Sequence, residues 1–364
     1  MDVFNTKSDK EPPSPQGRFD GDYLKSWLEP MVKEPISRFE IFTLKGDASD
    51  RSYFRVHYFL RSTEKKSSII VMQLKEPSLE KEPDFNRMQK FLYHLDIPVP
   101  EILHYDAERG LLFLEDGGDT HLADLAQSSP DSIITWYQKA IELIVVMQTR
   151  VTKNMRSYCP AYSLKFDVEK LMWEMDFMIK YYIKGFLNQK LGQDEESKIR
   201  TALLGLCETL AKEERVFVHR DFHSRNLMLQ GEDLLLIDFQ DARMGPRQYD
   251  LVSLLKDSYV VLEEETRNEL LSHYLQRMEQ EEGRQLPRSS FLKIFDCMSI
   301  QRNLKAIGTF AFQHVEHKNE RYIEYIDPTL QYIRDTLHSR PDLEPLGQAL
   351  KQAIPGLNTG VSRP

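Results

Sequence analysis

The alternation of hydrophobic and polar positions predicts a β-rich lobe in the first third of the chain. Short runs of β-branched and aromatic residues are typical of strands, and Pro98 ends a helical pattern. The predicted elements are a short helix at 23–28, strands at 39–44, 53–59, 68–74 and 110–114, a turn at 46–50 and a helix at 84–95. They indicate a small lobe that combines a twisted sheet with one main helix.

Hydrophobic residues adopt helical spacing in the remainder of the chain. Apolar positions between Val168 and Ile183 form one stripe, and Ser129-Pro130-Asp131 has the residue types that begin a helix, which we expect to extend to Val151. Further helices are predicted at 194–213, 248–261, 265–281, 289–314, 327–338 and 343–352. Short strands interrupt them at 216–218, 227–229 and 234–237.

The predicted fold class is α+β, with a small β-rich lobe and a larger, mainly helical lobe. We expect a disordered tail at 1–18, an N-terminal lobe at 19–116, a helical C-terminal lobe at 117–354 and a loose tail at 355–364.

Composition and charge narrow the expected partners and location. A hydrophobic content of 41% over 364 residues indicates a packed soluble core, and a formal net charge of −9 argues against nucleic acid or an anionic membrane as partner. The three cysteines are far apart, which indicates reduced thiols and neither a disulfide framework nor a zinc site. Without a recognisable secretory signal or membrane-spanning run, we expect a cytoplasmic protein, with its oligomeric state left open.

Two loops that follow short apolar runs carry the most specific chemistry. Asp221 and Asn226 lie five residues apart, and Asp238 follows seventeen residues after Asp221. In phosphoryl transfer, one carboxylate orients a hydroxyl and accepts its proton, while an Asn oxygen and a second carboxylate bind magnesium. The set therefore predicts phosphotransfer, although each residue alone is more typical of a turn or a cap.

A metal-dependent hydrolase fits part of the same segment. His219, Asp221 and His223 alternate, and on an extended segment their side chains would share one face. Such clusters bind zinc or manganese, but the other histidines are scattered without a motif, so this alternative is the weaker one.

The motif 218–228, with 237–242, resembles the aminoglycoside phosphotransferase and choline-kinase superfamily. Together with 245–257, it is most similar to the bacterial anomeric kinases of N-acetylmuramate and N-acetylglucosamine. The segments Gly46–Arg55 and Gln301–Gly308 resemble the phosphate loop and the late helix of that branch. The resemblance, which extends from about residue 20 to 340, implies a two-lobed, protein-kinase-like fold.

The resemblance also implies roles for the loop residues. Asp221 would be the catalytic base, and Asn226 and Asp238 would bind Mg²⁺. His223 and Arg225 would offer positive charge to the transferred group, although Arg225 is equally suited to a surface ion pair. Two further residues are expected to be structural: His219 would pin the loop by hydrogen bonding, and Asp250 would bond back to it. Asp241 is an anchor or a helix cap.

Candidate nucleotide residues lie in the N-terminal lobe. The loop residues Gly46, Ser49, Arg51 and Ser52 are expected to close over the phosphates. The third strand has Gln73 where related kinases have a lysine, and Lys75, two residues on, is a possible substitute. The backbone at Glu115 and Asp116 would recognise adenine.

Candidate acceptor residues lie on two helices of the C-terminal lobe. Glu174 and Asp176 flank the apolar stripe and are candidates for bonding sugar hydroxyls. Arg302 and Lys305 share a helix face and suit the carboxylate of a lactyl group. A solvated helix face is the competing interpretation for all four, and Trp173 is expected to pack in the core unless it stacks on a sugar.

The predicted function is ATP- and Mg²⁺-dependent phosphorylation of a small-molecule sugar acceptor. The resemblance points to the anomeric hydroxyl of an N-acetylated amino sugar, and so to recycling of cell-wall sugars. The alternatives are an aminoglycoside or choline-type kinase and, from another class, a nucleotide-binding module without catalytic activity.

Overall fold

The computed structural model describes residues 18–44, 51–77, 82–128 and 133–358. The chain divides into two compact units, one of residues 1–89 with 99–118 and one of residues 90–98 with 119–364. The predicted disordered tail up to residue 17, the turn at 46–50 and the helix start at Ser129 lie outside the described residues. Arg18, assigned to that tail, instead donates hydrogen bonds to the carbonyl oxygens of Leu74 and Lys75 at 2.5 and 2.8 Å.

The N-terminal unit is an antiparallel sheet with a helix. Its elements are α1 (Gly21–Val32), β1 (Ile36–Leu44), β2 (Ser52–Leu60), β3 (Lys66–Gln73), β4 (Ile102–Asp106) and β5 (Leu111–Glu115), with strand order β1-β2-β3-β5-β4. Alternate residues of β2 and β3, such as Phe54, Val56, Ile69 and Val71, pack with Leu24 of α1 in the core. Strand β4 was not predicted, because all five of its residues are half-buried and show no alternation.

The helix α2 (Asp84–His94) follows β3 and confirms the prediction for 84–95. It begins in the N-terminal unit and ends in the C-terminal unit, because the boundary falls between Gln89 and Lys90.

The C-terminal unit is mainly helical. Its helices are α3 (Leu122–Ser128), α4 (Ile133–Val146), α5 (Val168–Met178), α6 (Gln193–Ala211), α7 (Gln248–Leu255), α8 (Glu264–Glu282), α9 (Arg288–His317), α10 (Ile326–Ser339) and α11 (Glu344–Ala353). Helices α4 and α5 continue as π-helical segments, Met147–Val151 and Ile179–Phe186. None of the helices in the described parts of the chain is long and apolar enough to cross a membrane.

Two short antiparallel strand pairs interrupt these helices. Strand β6 (Arg215–Val218) pairs with β9 (Arg243–Pro246), and β7 (Leu227–Gln230) pairs with β8 (Asp233–Leu236). The sequence did not predict β9, because Gly245 and Pro246 are typical of turns. The two units together confirm the predicted α+β class.

Among the boundaries that differ from the predictions, two have a clear structural cause. Helix α7 ends at Leu255 instead of 261, because the buried Asp257 accepts hydrogen bonds from Ser224 N and Tyr259 N, both at 2.9 Å, which turns the chain. The loose tail predicted from Pro355 is corrected for its first residues. Pro355–Leu357 is a 3₁₀ turn, and Leu357 is buried because it packs into the unit.

Candidate active site

The loop between β6 and β7 is fixed by hydrogen bonds from buried groups. The carboxylate of Asp250, in α7, accepts bonds from the backbone N–H groups of His219 and Arg220 at 2.6 and 3.0 Å. The ring Nε2 of His219 donates to the carbonyl of Ile237 at 3.0 Å. Both structural predictions are therefore confirmed. Arg220 has a left-handed backbone with φ 84°, a conformation that is uncommon for this residue type and that turns the Asp221 side chain away from that of His219.

Three cations surround Asp221. Lys305 Nζ lies 2.7 Å and Arg302 Nη2 3.7 Å from Asp221 Oδ1, and Arg220 Nη1 lies 3.9 Å from Oδ2. Burial opposes ionisation, but these charges outweigh it and hold the pKa of Asp221 well below its usual range. Asp221 is therefore a carboxylate at neutral pH and is able to accept a hydrogen bond from a hydroxyl.

Asn226 and Asp238 meet beside this carboxylate. Asn226 Nδ2 donates to the backbone carbonyl of Asp221 at 2.9 Å and lies 3.3 Å from Asp238 Oδ2. Desolvation by the surrounding protein and the nearby Asp221 raise the pKa of Asp238 to about 6, although Gln240 donates to its Oδ1 at 2.6 Å. A carboxylate in such surroundings, beside an amide that carries a side-chain oxygen, suits a hard divalent cation.

A buried charged network connects the loop to α5 and α9. Glu174 is only 1% exposed; its Oε1 lies 3.6 Å from Arg220 Nη2, and its Oε2 accepts a bond from Gln301 at 3.0 Å. Arg220 also pairs with Asp241 at 3.1 Å, which makes Asp241 an anchor. Glu174 is thus a structural partner of Arg220, and its predicted contact with sugar hydroxyls is corrected because the carboxylate is enclosed by protein.

The other three candidate acceptor residues separate into two groups. Asp176 pairs with Arg200 of α6 at 2.6 Å and is partly exposed, so its role in sugar binding stays a prediction. Arg302 and Lys305 both point toward Asp221, and Arg302 Nε is held by Ser253 Oγ at 2.9 Å. The competing interpretation, that these two residues lie on a solvated helix face, is therefore wrong, since both face Asp221 and Arg302 is 7% exposed.

Two predicted sources of positive charge behave differently. Burial lowers the pKa of His223 to about 3, so its imidazole is neutral near pH 7 and the predicted charge is corrected. Arg225 donates to the Tyr325 hydroxyl at 2.6 Å, with its guanidinium 3.9 Å from the Tyr259 ring centre. It stacks on aromatic faces instead of forming the surface ion pair considered from the sequence.

The hydrolase alternative required an extended segment with His219, Asp221 and His223 on one face. The left-handed Arg220 interrupts that segment, and His219 is 0% exposed and bonded to a carbonyl. Within the described ranges, no group of three or more His, Cys, Asp or Glu side chains is arranged to bind a metal ion. This geometry does not support the hydrolase reading.

The candidate nucleotide residues of the N-terminal unit are only partly described. Gly46 and Ser49 lie outside the described residues. Arg51 Cζ lies 5.5 Å from the centre of the Phe85 ring, and Ser52 pairs with Gln73 across β2 and β3. Gln73 is 7% exposed, and none of the described residues forms a hydrogen bond with its buried Oε1.

The possible substitute for the missing lysine does not share a face with Gln73. Strand β3 ends at Gln73, and the exposed Lys75 lies in the bend that follows, so the alternation of a strand no longer applies.

The bend after β5 is pinned at both predicted adenine-binding residues. The backbone N–H of Glu115 donates to the carbonyl of Glu101 at 2.9 Å, so it is already used in the sheet. Asp116 pairs with Arg55 Nε at 2.8 Å and accepts a bond from Gly118 N at 3.0 Å. The Asp116 side chain is therefore an anchor of the bend.

Sequence reasoning missed several residues that hold this site. Arg220, Asp257, Ser253 and Gln301 each contact a candidate catalytic or acceptor residue or the loop that carries it. All four stood inside the recognised segments, but no spacing rule assigned their partners, most of which are distant in the chain.

Comparison with known proteins agrees with this geometry. The sequence matches the model of the phosphotransferase enzyme family over residues 41–286. The N-acetylmuramate/N-acetylglucosamine kinase of Pseudomonas aeruginosa is 30% identical over 342 residues, which cover 90% of this chain and 95% of that protein. The protein of the same name from Neisseria meningitidis is 29% identical over 335 residues, which cover 91% of this chain and 95% of that protein.

Solved structures of other kinases have the same fold. The ADP-bound aminoglycoside phosphotransferase APH(2'')-Ib aligns over 87% of this chain and 99% of that chain, with a TM-score of 0.53 and 15% identity. Choline kinase from Cryptosporidium parvum aligns over 86% and 93%, with a TM-score of 0.55 and 14% identity. At these identities the likeness concerns the fold alone, and it confirms the expected kinase-like architecture.

Proposed function

The chain belongs to the phosphotransferase enzyme family, and on that premise we propose that this kinase transfers the γ-phosphoryl group of ATP to the anomeric hydroxyl of an N-acetylated amino sugar. The convergence of Lys305 and Arg302 on Asp221, next to the oxygens of Asn226 and Asp238, is the observation that carries the proposal. The names of the relatives at 29% and 30% identity supply the acceptor class.

Asp221 orients the acceptor and receives its proton. The acceptor hydroxyl oxygen forms a bond to the γ-phosphorus, the bond from that phosphorus to the bridging oxygen breaks, and ADP leaves with the electron pair. Because three cations hold the pKa of Asp221 low, the carboxylate is a weak base, and its main contribution is alignment. Lys305, at 2.7 Å from Asp221, is placed to offset negative charge on the transferred group.

The residues at Asn226 and Asp238 fit a magnesium ion. Desolvation and the neighbouring Asp221 raise the pKa of Asp238 to about 6, which Gln240 and Lys305 offset only in part, and Mg²⁺ would supply further positive charge there. When bound, Mg²⁺ neutralises charge on the nucleotide phosphates. Because its Nδ2 is already bonded to the Asp221 carbonyl, the side-chain oxygen of Asn226 would be the atom available to hold such an ion.

We also propose that the nucleotide binds to the residues of the N-terminal unit that the sequence predicts. The proposed contacts are backbone groups of the 46–52 loop and, at 115–116, the backbone groups other than the Glu115 N–H, which is bonded to Glu101, since main-chain groups bind phosphates and bases without a dedicated cation. The proposed residues are Gly46, Ser49, Arg51, Ser52, Gln73, Glu115 and Asp116.

Electrostatics favours a neutral or acidic acceptor over a cationic one. Lys305, Arg302 and Arg220 face Asp221, and the aromatic faces of Tyr259 and Tyr325 already carry the guanidinium of Arg225. A quaternary ammonium group binds to uncovered aromatic faces, and an aminoglycoside needs several carboxylates. An amino sugar, with or without a lactyl carboxylate, is compatible with these charges.

The test is ATP consumption over a panel of N-acetylglucosamine, N-acetylmuramate, choline and kanamycin, with and without Mg²⁺. We expect turnover with the two amino sugars only, and a product whose phosphate is released by mild acid, as a phosphate on the anomeric carbon should be. Turnover with choline or kanamycin alone would reassign the acceptor. ATP binding without turnover on any acceptor would favour the non-catalytic module.

A further inference from the structure

Helices α5 and α9 run side by side in the same direction. Glu174 bonds to Gln301 at one end, and further along, the Phe177 ring lies 5.3 Å from that of Phe312. Between these contacts Gly308 lies against the Met178 backbone, where an added Cβ would be only 2.8 Å from Met178 Cα. This close approach keeps the outward faces of the two helices adjacent.

The outward faces form one aromatic surface. Trp173, Phe177 and Tyr181 follow each other along α5 and its π-helical extension, with ring-centre distances of 5.6 and 4.5 Å, and Tyr181 lies 4.9 Å from Phe312 of α9. Trp173 is 54% exposed, so its predicted core packing is wrong. We call these four rings, Trp173, Phe177, Tyr181 and Phe312, the aromatic ladder.

Polar groups border the ladder on both helices. Lys170 Nζ lies 3.9 Å from the Trp173 ring centre, and Lys180 Nζ lies 4.5 Å from that of Tyr181. On α9, Lys305, Thr309 and Phe312 are partly exposed positions at helical spacing and therefore share a face. Aromatic rings interleaved with hydrogen-bonding groups match the surface of a saccharide, which has apolar C–H faces and polar edges.

The ladder is continuous with the candidate active site. Lys305, at 2.7 Å from Asp221, and Phe312 lie seven residues apart on α9, a separation of about 10 Å along the helix axis. On α5, Lys170 lies 4.0 Å from Glu174, which pairs with Arg220 beside Asp221. A surface of this length extends beyond the width of one pyranose ring.

From this placement we propose that the aromatic ladder is a second sugar subsite, which binds the ring attached to the amino sugar whose hydroxyl lies at Asp221. The proposal rests on the proposed function. Because phosphorylation at the anomeric carbon requires the reducing end at Asp221, the rest of an amino-sugar disaccharide must extend away from it. Its C–H faces then stack on Phe177 and Tyr181, because ring faces are electron-rich and C–H groups carry partial positive charge.

The acceptors for the test are N-acetylglucosamine and its dimer, N,N′-diacetylchitobiose. For wild type we expect the dimer to have a kcat/KM at least equal to that of the monomer. Tyr181→Ala should lower the ratio of dimer to monomer kcat/KM by roughly 3- to 10-fold, the loss that corresponds to one aromatic contact. Tyr162→Ala is the matched control, since Tyr162 is 58% exposed and no described ring contacts it; the ratio should stay constant.

A second measurement separates this proposal from the proposed function. Calorimetric titration of the dimer into wild type and Tyr181→Ala reports binding without turnover, and thermal unfolding reports whether the variant is folded. Weaker dimer binding by folded Tyr181→Ala supports the subsite even if neither sugar is phosphorylated, a result that would reject the proposed function alone. A wild-type enzyme that excludes the dimer, or a ratio and an affinity that Tyr181→Ala leaves unchanged, would overturn the subsite.

Discussion

The candidate catalytic loop of the C-terminal unit and the candidate nucleotide strands of the N-terminal unit are built on different principles. Around Asp221, the charged side chains are paired: Lys305 and Arg220 with Asp221, and Arg220 with Glu174. At the end of β3, by contrast, Gln73 is a neutral side chain with a buried Oε1 that no described residue bonds.

The difference indicates that the charged side chains around Asp221 are already paired before substrates bind, whereas Gln73 is not. Removing one partner of a buried ion pair leaves the other charge uncompensated, at a cost of about 3–5 kcal/mol. The network around Asp221 therefore holds its side chains rigidly. A neutral amide such as Gln73 costs less to leave unpaired and is able to accept or donate when a partner arrives. We therefore expect substitutions near Asp221 to have larger effects than those near Gln73.

The largest effect is expected from Asp221→Asn. The amide cannot accept the proton of the acceptor, so kcat should fall by about 10²- to 10⁴-fold. ATP affinity, measured by titration calorimetry, should stay within a few-fold of wild type. The control is Asp241→Asn, because Asp241 also pairs with Arg220 but has a 57% exposed side chain. Equal kcat values for Asp221→Asn and wild type would remove Asp221 from the mechanism.

The next effect is expected from Asp238→Ala. Removing one of the two proposed magnesium ligands should weaken Mg²⁺-dependent nucleotide binding by at least about 10-fold. That factor is the lower limit for substituting a residue that only supports a metal ligand, and Asp238 is proposed as a ligand itself. Nucleotide titrations with and without Mg²⁺ give the measurement. Asp233→Ala, in the exposed start of β8, is the control and should bind as wild type does. Unchanged affinity in Asp238→Ala would contradict the ligand role.

A smaller effect concerns pH and His219. Burial lowers the pKa of this imidazole in the folded protein to about 4, below the 6.5 of a free histidine. Between these values the unfolded chain binds a proton that the folded protein does not, so stability present above pH 6.5 is lost as the pH falls. The loss should be about 1.4 kcal/mol for each pH unit between roughly 6 and 5.

Urea unfolding of wild type and His219→Gln at pH 7.5 and 5 measures this effect. We expect the difference in the free energy of unfolding between the two proteins to shrink at pH 5, because glutamine does not titrate. His317→Gln, at the exposed end of α9, is the control and should parallel wild type. A difference that does not change with pH would show that His219 does not titrate as expected.

The smallest effect is expected in the N-terminal unit, from Gln73→Met. If Gln73 contacts the nucleotide, ATP affinity should fall by roughly 5- to 10-fold, the effect of one hydrogen bond. The free energy of unfolding should change little, since methionine fills a similar volume and removes an unpaired polar atom. Lys75→Met is the control. A loss of ATP affinity in Lys75→Met instead of Gln73→Met would reverse the assignment.

The sequence was sufficient for the parts of the site that follow local rules. The spacing of the strand-end loops predicted that Asp221, Asn226 and Asp238 would lie together, as they do, and the hydrogen bonds expected of His219 and Asp250 are present. Helix positions followed from the 3.6-residue period. The strands β4 and β9 were missed, since neither uniform half-burial nor a Gly-Pro pair is typical of a strand.

Roles that depend on distant partners were decided only by the tertiary structure. Glu174 and Asp176 are similar acidic residues on one helix, yet folding buries the first against Arg220 and pairs the second with Arg200. His223 is neutral and Trp173 is exposed for the same kind of reason: neighbours brought from elsewhere in the chain determine burial, and burial determines charge.

The sequence by itself thus determined the fold class and the family and predicted the chemistry of the Asp221 loop, because these depend on residue types at short, fixed separations. Only the tertiary structure decided which cations face Asp221 and which aromatic rings face solvent. Those properties depend on the packing of α5 against α9, which the close approach at Gly308 allows and which no local pattern encodes.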